Sequence, residues 1–125
     1  MRALEPLLGL RVVADPVALD AARWQGDEVT VLRFAPDDAF AIGADGVEVD
    51  DPEAIVESET GFVGVWHPVS DLLAHIEWSL PAGRPALAQG SVATVPAKLW
   101  LPAEDGDALL LTAAAHADDL TSRLR

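Results

Sequence analysis

The distribution of apolar and polar residues along the chain predicts six strands. Residues 28–34, EVTVLRF, alternate with the period of two that is typical of a strand with both faces at least partly covered. A Pro-Asp turn follows directly, so this strand and the next one are expected to form a hairpin. The predicted strands are residues 10–14, 28–34, 39–44, 62–66, 91–101 and 108–112.

Four helices are predicted between or after these strands. The pairs Asp15-Pro16 and Asp51-Pro52 each combine an aspartate that can cap a helix with a proline suited to its first turn. The first helix carries Trp24 on its apolar stripe and is expected to end before Gly26. The other three are expected in PEAIVESETG (52–61), DLLAHIEW (71–78) and AAAHADDLTSRL (113–124), and AGRPALAQG (82–90) is expected to be a loop.

The resulting order β-α-β-β-α-β-α-β-β-α predicts an α+β fold. We expect a mixed or antiparallel sheet of split β-α-β, ferredoxin-like-related character, with the helices packed on the sheet. The 125 residues are enough to bury one hydrophobic core, and the sequence has neither repeats nor a linker. We therefore expect residues 1–125 to form a single domain.

The charge of the chain changes this picture by excluding some partners. There are 21 acidic against 8 basic residues, a net charge of −13, and no Lys or Arg lies between Phe34 and Gly83. Nucleic acids and anionic membranes are therefore not expected as partners, because phosphate binding requires Lys and Arg. The acidic residues either keep the protein soluble or form a face for a basic partner. The candidate interface residues are Asp50, Asp51, Glu53 and Glu57.

The sequence also bears on the cellular compartment. It has no cysteine, so no disulfide is expected. No apolar run approaches the roughly 18 to 20 residues that span a bilayer, and no convincing cleavage site follows the N-terminus. We expect a cytoplasmic protein.

Candidate catalytic and metal-binding residues do not form a recognisable set. His67, Asp71 and His75 are spaced by four, but Pro68 disfavours helical geometry at His67 and breaks up the potential ligand face. Ser70 is better explained as a helix cap than as a nucleophile. The motifs of serine nucleophiles and of phosphate or dinucleotide binding are absent. We therefore assign no catalytic, cofactor-binding or metal-binding residue and expect no cofactor.

The tryptophans Trp66, Trp78 and Trp100 are the other candidates for a functional surface. Tryptophan most often serves as a core residue or an interface anchor, because it buries a large apolar area. Alternatively, the three rings could form a stacking pocket for a flat ligand.

Three segments resemble the gamma subunit of heterotetrameric sarcosine oxidase and its aminomethyltransferase-like, folate-binding relatives. They are VTVLRFAPDDAFAIGADG, FVGVWHPVSDLLAHIEWSLP and ALAQGSVATVPAKLWLPAEDGDALLLTAAAHADDLTSRL, which cover most of residues 29–124. The resemblance implies a noncatalytic accessory or assembly domain that acts by protein contact, with a larger flavoprotein subunit or a second copy as partner. A folate-like binding module and a small enzyme with an unrecognised site remain as alternatives.

Overall fold

The computed structural model describes residues 2–104 and 106–124, and it is mostly sheet, with 50% of residues in strands and 18% in helices. The α+β prediction with split β-α-β character and helices packed on the sheet is therefore wrong. All strand pairs with an assigned register are antiparallel. The three α-helices of the described residues have only five, four and seven residues.

The chain divides into two compact units, residues 7–60 and residues 1–6 with 61–125. We call them the first and the second unit. Two strands have residues in both units, β1 (Glu5–Val13) and β6 (Ile55–Pro68). The expectation of a single domain stays a prediction.

The first unit is built of short, antiparallel strands and one short helix. Its remaining elements are α1 (Pro16–Asp20), β2 (Arg23–Gln25), β3 (Thr30–Ala35), β4 (Asp38–Ile42) and β5 (Gly46–Glu48). Strand β4 lies between β3 and β1, and β2 pairs with β5 in a separate two-stranded sheet. This confirms the predicted hairpin, whose two strands are joined by the Pro-Asp turn.

Close approach of β1 and β4 depends on Gly9. A Cβ atom at this position would lie 2.0 Å from the carbonyl oxygen of Ala41, so only glycine fits there. One core cluster of this unit contains Val12, Ala14, Leu19 and Ala39.

The second unit contains a sheet of four neighbouring strands and two short α-helices. The elements after β6 are α2 (Val69–Leu72), β7 (Ala86–Val92), β8 (Val95–Leu101), β9 (Asp107–Ala113) and α3 (Ala117–Arg123). The order of hydrogen-bonded strands is β6-β9-β8-β7. One 3-10 turn (Leu73–His75) follows α2 and another (Ala114–His116) precedes α3.

One face of this second sheet carries the main core of the unit. Alternate residues of all four strands pack there with Leu72 of α2 and Leu120 of α3, which are 1% and 0% exposed. The sheet residues of this core are Val65, Ala88, Val92, Val95, Ala97, Leu99, Leu101, Ala108 and Leu110.

The hairpin of β7 and β8 turns at two residues with left-handed backbone. The φ angles of Ala93 and Thr94 are 50° and 67°, a conformation that two-residue hairpins usually assign to Asn and Gly. Contacts from elsewhere in the unit hold the turn. The N–H of Ala93 donates to the carbonyl of His75 at 2.7 Å, and Arg123 donates to Oγ1 of Thr94 at 2.6 Å.

The largest error of the sequence prediction concerns residues 52–61, which do not form a helix. Residues 55–61 begin the 14-residue strand β6, and Gly61 lies inside that strand and does not end a helix. Asp51 caps a tight turn. The residues after this turn include the β-branched Ile55, Val56 and Thr60. Branched side chains lose rotamer freedom in a helix and favour strands, and here this preference outweighed the cap signal.

Three smaller predictions were also wrong. The first helix ends at Asp20, and Trp24 belongs to β2. The predicted helix 71–78 is shortened to α2 and one 3-10 turn, after which Ile76 is extended. Residues 86–90 are part of β7 and not of a loop, because they pair with β8 along its whole length. The terminal helix is confirmed as α3 and its preceding 3-10 turn.

Candidate functional site

The acidic segment, residues 50–57, begins with a tight turn organised by Asp51. One carboxylate oxygen of Asp51 accepts the N–H of Asp15 at 2.8 Å, and the other accepts the N–H of Glu53 at 2.9 Å. The N–H of Ala54 donates to the Asp51 carbonyl at 3.1 Å. The two backbone N–H groups stabilise the charged carboxylate and lower the pKa of Asp51. Asp51 therefore has a structural role, whatever the segment binds.

The other three candidate acids project into solvent. Asp50, Glu53 and Glu57 are exposed, and none of them forms an ion pair within the described part of the chain. Some other acids of the first unit are neutralised: Glu48 accepts from Nε of Arg23 at 3.0 Å, and Arg33 lies 2.7 Å from Asp20. In the described part of the chain the arginines of this unit pair with acids outside the acidic segment, which therefore keeps its negative charge.

The acidic segment also exposes two large apolar side chains. Ile55 is 55% exposed and Val56 is 45% exposed. Consecutive strand residues point to opposite faces, so each face of β6 carries one of them at this end. Charged and apolar side chains exposed side by side are typical of contact surfaces, whose central residues are apolar and whose rims are polar.

A charged cluster on β1 was not recognised in the sequence. Arg11 donates through Nε and Nη2 to the two carboxylate oxygens of Asp38 at 2.6 and 2.7 Å, and through Nη1 to Glu59 at 2.9 Å. Its guanidinium lies 4.7 Å from the centre of the Phe34 ring. The hydrogen bond with Asp38 is the main cause that raises the pKa of Arg11. A single arginine inside the apolar run LRVVA was the available signal, because a charge in such a strand requires partners.

The structure brings two of the three candidate tryptophans to the same face of the second sheet. Trp66 and Trp100 are both register partners of Leu109, which is 2% exposed, so the three side chains form one cross-strand row. Trp66 is 40% exposed, and its carbonyl accepts from Arg2 at 3.1 Å.

Trp78 lies on the opposite face, against the core. Its indole N–H donates to the carbonyl of Ser91 at 2.8 Å, and its ring covers Gly90, where a Cβ would come within 2.7 Å of the indole. Trp78 lines a cavity of about 400 Å³ to which neither Trp66 nor Trp100 contributes. The three rings therefore do not form one stacking pocket.

The histidines of HPVSDLLAHIEW are also separated. Nε2 of His67 lies 3.4 Å from Asp71, while His75 uses its carbonyl to hold the Ala93 turn. Within residues 2–104 and 106–124, no group of three His, Asp or Glu side chains is placed to hold a metal ion. The arrangement of His67 and Asp71 is an ordinary surface contact.

Comparisons with protein-family models, with curated proteins and with solved structures gave no match. Over the same described residues, no helix has the length and apolar character needed to cross a bilayer.

Proposed function

We propose that this chain is a noncatalytic accessory or assembly domain that binds a basic protein partner through its acidic segment. The observation that carries the proposal is the exposed, uncompensated set Asp50, Glu53 and Glu57 around the exposed side chains of Ile55 and Val56. Negative charge steers a basic partner to the surface, and apolar contact holds it there. The resemblance of residues 29–124 makes a larger flavoprotein subunit the first partner to test.

The test is the association rate of a partner recovered by affinity capture with the intact chain. In the test variant, Asp50→Asn, Glu53→Gln and Glu57→Gln are combined, and Asp51 is kept because it holds the turn. A matched control combines Glu77→Gln, Asp118→Asn and Asp119→Asn, which removes the same number of exposed charges from the second unit. We expect the test variant to associate about 3- to 10-fold more slowly at low salt, and the control to associate nearly as fast as the unmodified chain.

Salt provides a second measurement. The difference between test variant and unmodified chain is expected to shrink as the Debye length falls below about 8 Å, with little change in the dissociation rate. The proposal is wrong if no recovered protein distinguishes the test variant from the control. It is also wrong if His67→Ala or His75→Ala abolishes turnover of a defined substrate without changing the melting temperature, because that result would identify an enzyme.

A further inference from the structure

Within residues 2–104 and 106–124, no strand is assigned beside residues 55–58 of β6 on the side where β9 pairs with the rest of the strand. In the sheet order, β6 has two neighbours, β1 and β9. The register of β9 with β6 runs from Pro68 to Phe62, where Ala113 is the last partner, and the chain then leaves the sheet in the 3-10 turn Ala114–His116. Residues 55–60 therefore extend beyond the end of β9. Every second residue of such an edge directs its N–H and C=O outwards.

This edge carries few of the features that normally protect an exposed strand. Residues 55–58 are all exposed, and the six residues contain neither lysine nor proline. Ile55 and Val56 project from the two faces of the strand, so a strand laid alongside would gain an apolar contact on each face. Backbone hydrogen bonds supply affinity in strand addition, and alternate side chains supply specificity.

The charge of the segment decides which strand fits. A second copy of this chain would add its own Glu53 and Glu57 to the same acidic surface, and like charges on adjacent strands are destabilising. A segment rich in Lys or Arg would instead pair with these carboxylates. The same glutamates thus oppose self-association and favour a basic segment.

We propose that the open edge of β6 at residues 55–58 binds an extended basic segment of a partner protein by strand addition. This inference rests on the proposed function, since it specifies how the acidic segment would engage its partner. The partner segment becomes a further strand beside β6, with its lysines or arginines near Glu53 and Glu57.

The first experiment titrates the unmodified chain with a synthetic peptide in which lysine alternates with valine. The readout is amide hydrogen exchange, residue by residue. We expect the peptide to slow exchange at outward-facing amides of residues 55–58, while a peptide with glutamate in place of lysine has no effect. Absence of binding up to millimolar peptide, or binding without protection at 55–58, overturns the inference. Protection of 55–58 that grows with protein concentration alone identifies a second copy as the occupant and also overturns it.

The second experiment reverses the charge of the acidic segment and the charge of the peptide. Replacement of Glu53 and Glu57 by lysine should weaken binding of the lysine peptide about 2- to 20-fold and create binding of the glutamate peptide. A variant that combines Glu77→Lys and Glu104→Lys, two exposed positions of the second unit, is the control for net charge and should behave as the unmodified chain does. A partner that depends on Asp50, Glu53 and Glu57 but leaves exchange at 55–58 unchanged would contradict strand addition while preserving the proposed function.

Discussion

The two halves of β6 belong to one strand but differ in what determines their structure. Residues 62–68 pair with β9, and Gly64 and Val65 are buried. Residues 55–58 are all exposed, and in the sequence they resemble the start of a capped helix. The buried half is specified by apolar burial, while the exposed half depends on the β preference of Ile, Val and Thr and on pairing in the sheet. The burial of a segment can be predicted from its own sequence, whereas its pairing with other strands cannot.

The largest loss of stability is expected from a substitution at Leu110 of β9, which pairs with Val65 in the buried half of β6. Leu110 is 0% exposed, so Leu110→Ala should lower the free energy of unfolding by about 2–5 kcal/mol through lost burial and a cavity. Leu73→Ala is the control, because Leu73 is 51% exposed and belongs to the same unit. We expect Leu73→Ala to change the free energy of unfolding, measured by urea unfolding, by no more than about 0.5 kcal/mol. Equal losses would show that the face assigned to the core is not the stabilising one.

A smaller effect is expected from the same substitution in each half of the strand. Val65 is 8% exposed and Val56 is 45% exposed. Val65→Ala should cost about 2 kcal/mol, because two buried carbon atoms are lost, and Val56→Ala should cost about 0.5 kcal/mol or less. Thermal and urea unfolding of the two variants measure this difference directly. If Val56→Ala proved as costly, the exposed half would have a packing role that its exposure does not indicate.

The smallest effect concerns the turn at which the exposed half begins. The pKa of Asp51 is lowered by the N–H groups of Asp15 and Glu53, so its charged form stabilises the fold. That stabilisation is fully present above the ordinary carboxyl pKa of 3.8 and is lost as the pH falls through the lower folded value. Asp51→Asn should therefore be less stable than the unmodified chain above the ordinary carboxyl pKa of 3.8, and the difference should shrink as the pH falls through the lower folded value. Unfolding free energies of both chains across this range provide the measurement, and a difference independent of pH would contradict the assigned role.

The sequence was informative where burial and local turn chemistry act together. The hairpin of β3 and β4, the cap at Asp15 and the terminal helix were confirmed. The fold class was missed because Asp-Pro is equally compatible with a helix start and with a turn, and only the pairing of β6 in the sheet decides between them. Residues 86–90 were predicted as a loop because their pairing with β8 cannot be read from the sequence and because Gly90 weakens the strand signal. In the structure, the ring of Trp78 covers Gly90.

The candidate site was predictable in its residues but not in their roles. The acidic stretch is evident from charge alone, and three of the four candidate acids are exposed. That Asp51 is a turn residue follows only from its two backbone partners, one of which lies far away in the sequence. The tryptophans illustrate the same limit, because Trp66 and Trp100 share a face through strand register while Trp78 lies on the other face.

The turn at Ala93 and Thr94 has a consequence for the order of folding. Left-handed backbone at residues other than Gly or Asn costs on the order of 1–3 kcal/mol each. The compensating contacts come from His75 and from Arg123. These contacts can form only after segments that are distant in the sequence have packed against the turn. A hairpin with a two-residue loop is usually among the first structures to form, within about 1–10 μs. We therefore expect β7 and β8 to gain a stable turn only once these contacts have formed, and their pairing to be a late step in the assembly of the second unit.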